Sequence, residues 1–167
     1  MIEVFAVEKG FRFPVVPLSE VPFENCDTQD RQVVLVVDDE PLVADTLAAI
    51  LSQAGFAAKS AHSGKAALNS AREIEPGFLL TDVQMPEMDG IELAMTMADE
   101  FPSCEILLFS GHATNADLVG ARAAGYDFSL MEKPIHPSQL VNYITGYFNG
   151  GGKQRNAMRV EMIRQFA

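Results

Sequence analysis

The chain has 167 residues, 48 % of them hydrophobic, which is enough for one compact domain with a proper core and short appendages. Its formal net charge of −11 excludes holding nucleic acid directly by phosphate neutralisation, which needs a basic face. No apolar run approaches the roughly 18 residues of a membrane span, and no basic region followed by an apolar segment opens the chain, so a cytoplasmic protein without membrane insertion is expected.

Residues 1–30 read as an N-terminal extension. Ile2, Val4 and Ala6 alternate with Glu3, Phe5 and Val7, and Glu8-Lys9-Gly10 turns the chain into Phe11-Arg12-Phe13, the pattern of a hairpin. Pro14, Pro17 and Pro22 then predict an extended connector. Cys26 and Cys104 show neither metal-ligand spacing nor a disulfide framework, which fits a reducing compartment.

From residue 31 to 148 the pattern changes to short apolar strands alternating with helices. Val33 to Val37 is a continuous β-branched run, as in a strand buried on both faces, and it stops at Asp38. Pro41 suits a first helical turn, and Leu42, Val43, Leu47, Ile50 and Leu51 recur at helical spacing until Gly55. Phe56 to Ala61 predicts a second strand, Ser63 caps a helix to about Ile74, and Phe78 to Thr81 is a third strand delivering Asp82. Gly90 to Phe101 is a helix, Glu105 to Phe109 a strand ending at Ser110, and Asn115 to Ala124 a helix. A strand near Phe128 to Met131 and a helix from Ser138 to Phe148 complete five βα units. Such alternation predicts an α/β domain with a doubly wound parallel sheet covered by helices on both faces, and a ligand site beyond the carboxyl ends of the strands. Gly150-Gly151-Gly152 marks the boundary to a C-terminal extension over 149–167. There Met158, Met162, Ile163 and Phe166 share one helical face, while Lys153, Arg155, Arg159 and Arg164 lie elsewhere.

Asp38, Asp39 and Asp82 all end apolar strands. Carboxylates crowd together only when something neutralises them, and Mg²⁺ is the hard ion that binds through one or two carboxylates plus phosphate and water. Taken singly, each residue has a plainer reading. Asp38-Asp39 before a proline is a solvated helix start, Ser110 a strand-end serine and Lys133 a surface lysine. Asp89-Gly90 is an acidic helix cap and turn, and Met85, Pro86 and Met88 shape the loop. His62, His112 and His136 have no mutual metal spacing and read as surface or loop residues.

Together, Val-Asp-Asp-Glu-Pro at 37–41, Thr-Asp-Val-Gln-Met-Pro-Glu-Met-Asp-Gly at 81–90, Phe-Ser-Gly-His at 109–112 and Glu-Lys-Pro at 132–134 make residues 31–148 resemble the receiver domain of two-component response regulators. The resemblance implies a flavodoxin-like sheet of five parallel strands in the order 2-1-3-4-5. It implies that Asp82 is the phosphoacceptor, taking a phosphoryl group from a phosphohistidine on a histidine kinase or histidine phosphotransfer protein. Mg²⁺ would be held by Asp38, Asp39, Asp82 and the Gln84 backbone carbonyl, with Lys133 and Ser110 facing the phosphoryl group. A cis Lys133-Pro134 peptide is also implied. Such a domain is a phosphoprotein switch rather than an enzyme.

Two departures stand out. The aromatic that most receivers place three residues before the lysine is Leu130 here, and Gly125 to Lys133 is one residue longer than usual, so a bulge is one way of bringing Phe128 or Ser129 into that role. No helix-turn-helix pattern is read after residue 148, so a stand-alone receiver is expected, with output through a downstream effector protein or self-association, by displacement of the loop after Ser110 and the following helix and without a conventional aromatic switch. The alternatives are a constitutive adaptor that does not cycle phosphate, and an aspartyl-phosphate phosphatase. The latter is disfavoured because Gln84 stands where a second Asp is required.

Overall fold

In the computed structural model, residues 32–111 and 118–151 are described, together with the backbone of 7–8 and 11–12. The chain divides after residue 30. In the N-terminal unit Val7–Glu8 pairs antiparallel with Phe11–Arg12. The connector prolines, the loop with His112, residues 115–117 of the expected fourth helix and the basic tail lie outside the described residues.

In the larger unit the β-branched run Val33–Val37 (β1) is the strand next to the centre, and it pairs in parallel with Ala57–Ala61 (β2) and Phe78–Asp82 (β3). Glu105–Ser110 (β4) pairs with β3, and Ser129–Glu132 (β5) closes the other edge, giving the order 2-1-3-4-5. This is the flavodoxin-like topology. The strands alternate with α1 (Pro41–Gln53), α2 (Gly64–Ile74), α3 (Gly90–Glu100), α4 (Val119–Ala123) and α5 (Pro137–Gly146).

Strand periodicity divides the core in two. Leu35, Val37, Leu79, Ile106 and Leu108 face Leu68, Leu93, Met97 and Ala121 of α2, α3 and α4. Val34, Val36, Phe78, Leu80 and Leu107 face Ala48, Leu51, Leu140 and Ile144 of α1 and α5. Most of these side chains are fully buried, each contributing about 1.5–3 kcal/mol relative to exposure. After α5 the chain makes one π turn, Tyr147–Gly151, and Phe148 packs on Phe56 and Phe78 at the amino-terminal end of the sheet.

Helix starts follow local chemistry. Pro41 occupies the first turn of α1, Ser63 Oγ accepts the Ala66 N–H, and Asp89 Oδ1 accepts the N–H groups of Ile91 and Glu92. His136, expected to be a plain loop residue, instead caps α5: its ring accepts the Ser138 N–H, and Gln139 reaches back to the His136 N–H.

The bulge that the extra residue allows is absent from β5. Leu107, Leu108, Phe109 and Ser110 pair one to one with Ser129, Leu130, Met131 and Glu132. The extra residue is taken up before the strand, where Phe128 is buried and stacks on Tyr126 at 5.7 Å. Leu130 is half-buried against the α2–α4 side of the core.

Candidate functional site

The carboxyl ends of β1, β3, β4 and β5 bring Asp38, Asp82, Ser110 and Lys133 to one end of the sheet. Lys133 joins two of them: its Nζ donates to Asp82 Oδ1 at 2.7 Å and to Asp38 Oδ2 at 2.9 Å. The second oxygens are fixed by backbone, since Glu40 N–H donates to Asp38 Oδ1 at 3.0 Å and Gln84 N–H donates to Asp82 Oδ2 at 2.9 Å. Both carboxylates are buried, 4 % exposed at Asp38 and 8 % at Asp82. Buried charge is tolerated only when paired and hydrogen-bonded, and both conditions hold here.

Lys133 is aimed by three features. The Lys133-Pro134 peptide is cis, the Lys133 N–H donates to the Ser110 carbonyl at 2.8 Å, and its ammonium lies 5.0 Å from the centre of the Phe109 ring. Burial draws the lysine pKa down, but the hydrogen bonds and charges of Asp38 and Asp82 outweigh that and hold it above the ordinary lysine range. Phe109 belongs to the Phe-Ser-Gly-His motif, but nothing in the sequence marks its ring as a neighbour of the lysine.

Asp82 is also positioned from behind. The Thr81 hydroxyl donates to the Asp82 carbonyl at 3.0 Å, and a Cβ on Gly90 would stand 1.9 Å from that same oxygen. Gly90 N–H donates to the Val83 carbonyl at 2.9 Å, so the 83–90 loop returns tightly under the acceptor strand. Only a residue without a side chain permits this approach.

Asp39 is exposed and lines an open cleft of about 550 Å³ together with Asp38, Asp82, Gln84, Gly111 and Lys133. Ser110 is buried at the end of β4, one residue past the Asp82–Phe109 pair. Among the described residues no three carboxylate, histidine or cysteine side chains are drawn into a closed ligand set. Lys133 supplies the positive charge between Asp38 and Asp82. With Glu40 also on the cleft wall, four carboxylates stand against one ammonium, and that surplus of negative charge among oxygen donors fits a hard divalent cation such as Mg²⁺. Among the described residues no helix is long and apolar enough to cross a membrane.

Comparison with known proteins agrees with this architecture. The transcriptional regulatory protein FixJ of Rhizobium meliloti is 36 % identical over 112 residues, covering 66 % of this chain and 54 % of that protein. The DNA-binding response regulator MtrA of Mycolicibacterium smegmatis is 32 % identical over 111 residues, covering 66 % of this chain and 48 % of its own. The chain thus spans about half the length of these relatives. Among solved structures, a two component transcriptional regulator AraC from Clostridium phytofermentans is 31 % identical with a TM-score of 0.61, covering 76 % of this chain and 96 % of that one. A CheY-like receiver domain protein from Methanospirillum hungatei shares the fold, with a TM-score of 0.67 at 24 % identity over 74 % of this chain and 98 % of its own. Residues 34–145 match the response regulator receiver domain, and the chain belongs to that family of two-component signal transduction proteins.

Proposed function

We propose that this chain is a phosphoacceptor switch of a two-component or phosphorelay system, with Asp82 as the residue that is phosphorylated to an acyl phosphate. The observation that carries the reading is the shared lysine: Lys133 donates to both Asp38 and Asp82, fixing an acceptor carboxylate beside a charge-neutralising group. An Asp82 oxygen attacks the phosphorus of a phosphohistidine, the P–N bond breaks, and the imidazole nitrogen leaves with the electron pair. Phosphoryl transfer of this kind needs positioning and charge neutralisation more than covalent chemistry.

The family typically binds Mg²⁺. Asp38, Asp39, Asp82 and the Gln84 carbonyl would hold the ion, which neutralises phosphoryl charge when bound. Lys133 then turns from the carboxylate pair toward the new oxygens, and Ser110 offers its hydroxyl to them. The family's members are generally not catalytic enzymes, and the partner that donates the phosphoryl group is a histidine kinase or histidine phosphotransfer protein. Output passes to a downstream effector protein or by self-association, with Phe128 remaining stacked on Tyr126 rather than acting as the aromatic switch.

The test is incubation of the protein with Mg²⁺ and acetyl phosphate. A single acid-stable, alkali-labile mass gain is expected, and Asp82→Asn abolishes it. No gain in the wild-type protein favours the constitutive adaptor, and multiple turnover of phosphate esters favours a phosphatase.

A further inference from the structure

Between α3 and α4 lies an open groove of about 460 Å³. Ile91, Met95 and Ala121 make its apolar floor, and the carboxylates of Asp89, Glu92 and Asp99 line it as well. Two of these acids are fixed in place: Asp89 caps α3, and Asp99 accepts the Tyr126 hydroxyl at 2.8 Å. Neither contact brings a positive charge.

Among the described side chains every lysine and arginine already has a carboxylate partner outside this groove. Among the described residues Lys59 pairs with Glu73, Lys65 with Glu87, Arg72 with Glu100, Arg122 with Asp127, and Lys133 with Asp38 and Asp82. These are all the lysines and arginines between residues 32 and 148, and none forms an ion pair with Asp89, Glu92 or Asp99. Outside that range the sequence holds Lys9, Arg12 and Arg31 singly and one cluster, Lys153, Arg155, Arg159 and Arg164, which is interleaved with Met158, Met162, Ile163 and Phe166 at helical spacing. An apolar floor beside carboxylates is the complement of that pattern.

We propose that residues 153–167 of this same chain dock in the α3–α4 groove, laying the methionine, isoleucine and phenylalanine face on Ile91 and Met95 and setting the arginines against Glu92 and Asp99. The connection permits it. The π turn at Tyr147–Gly151 packs by Phe148 beside Gly77, just before β3, at the amino-terminal end of the sheet. The last turn of α3, with Asp99, lies at that same end because the helix runs antiparallel to the strands. Tyr147 and Phe148 pack on the α1–α5 side of the sheet and the groove lies on the other, so residues 152–157, which span up to about 20 Å when extended, would round the amino-terminal edge of the sheet ahead of the first apolar anchor. The interaction does not depend on whether Asp82 accepts a phosphoryl group.

Hydrogen exchange on the full chain tests it. In the chain carrying Met162→Ser, Ile163→Ser and Phe166→Ser, amides of residues 91–99 and 119–126 are expected to exchange about fivefold faster than in the wild type, with α1 and α5 unchanged. Glu92→Lys with Asp99→Lys gives the same loss, and carbodiimide joins Lys153 to Asp99 or Glu92 within monomers of the wild-type chain. Three outcomes overturn the proposal: unchanged exchange in the tail variant, protection mapping to another face, or protection that rises with protein concentration with cross-links confined to dimers. The last would make a second copy the occupant.

Discussion

Lys133 carries the charge balance of the cleft, and its removal isolates the two carboxylates it joins. Lys133→Met is expected to lower stability by about 2–4 kcal/mol at neutral pH, less than for a fully buried pair because the lysine side chain is 28 % exposed. Urea unfolding measures this, and millimolar MgCl₂ is expected to shrink the deficit by replacing the missing positive charge. The pH dependence has a definite sign. A lysine whose folded pKa is raised contributes stability that is fully present below its unfolded value near 10.4 and is lost as pH rises through the higher folded value. The wild-type stability attributable to this group is therefore flat through neutrality and falls only above that point. The separate contributors to the cleft were legible because each carboxylate follows an apolar run. Their joining was not, because Lys133 lies 95 residues from Asp38 and 51 from Asp82, and no local pattern encodes which acids one lysine bridges.

Glycine positions separate two kinds of element contact. At Gly90 an added Cβ would meet the Asp82 backbone carbonyl at 1.9 Å, so Gly90→Ala must displace either the first turn of α3 or the acceptor strand. A cost of about 3 kcal/mol or more is expected, with slower acceptance of phosphate. At Gly64 the same atom meets Met88 Sδ at 2.6 Å, the flexible side chain of a loop residue, while alanine favours the helix by about 1 kcal/mol. Gly64→Ala is therefore expected to stay within about 1 kcal/mol of wild type by chemical denaturation. The Asp89-Gly90 cap and turn are legible in the sequence, but the carbonyl beneath Gly90 is not, because it belongs to Asp82 of the preceding strand and no local pattern reports the approach. The same limit explains β5. The extra residue between Gly125 and Lys133 could be counted, but a bulge and a longer lead-in have equal length. Burial of Phe128 on Tyr126 selects the lead-in, because moving that ring into the ladder would uncover it.

At the scale of the whole molecule, a net charge of −11 sets like charges against one another, and the described domain has already paired all its lysines and arginines. Two cation effects should therefore separate cleanly. Sodium chloride screens the surplus carboxylates without selectivity, so it raises the melting temperature gradually as the Debye length shrinks. A divalent ion that binds the cleft adds stability by mass action, about 1.4 kcal/mol at ten times its dissociation constant, or roughly 5 °C for a domain of this size. MgCl₂ is thus expected to raise the melting temperature beyond sodium chloride of equal ionic strength. The excess is expected to vanish in Asp38→Asn with Asp39→Asn, which keeps the Lys133–Asp82 bond but removes two oxygen donors of full charge. An equal response of wild type and variant would mean that Mg²⁺ acts on this chain only as a surface counterion, and the cleft would then lose its standing as a cation site.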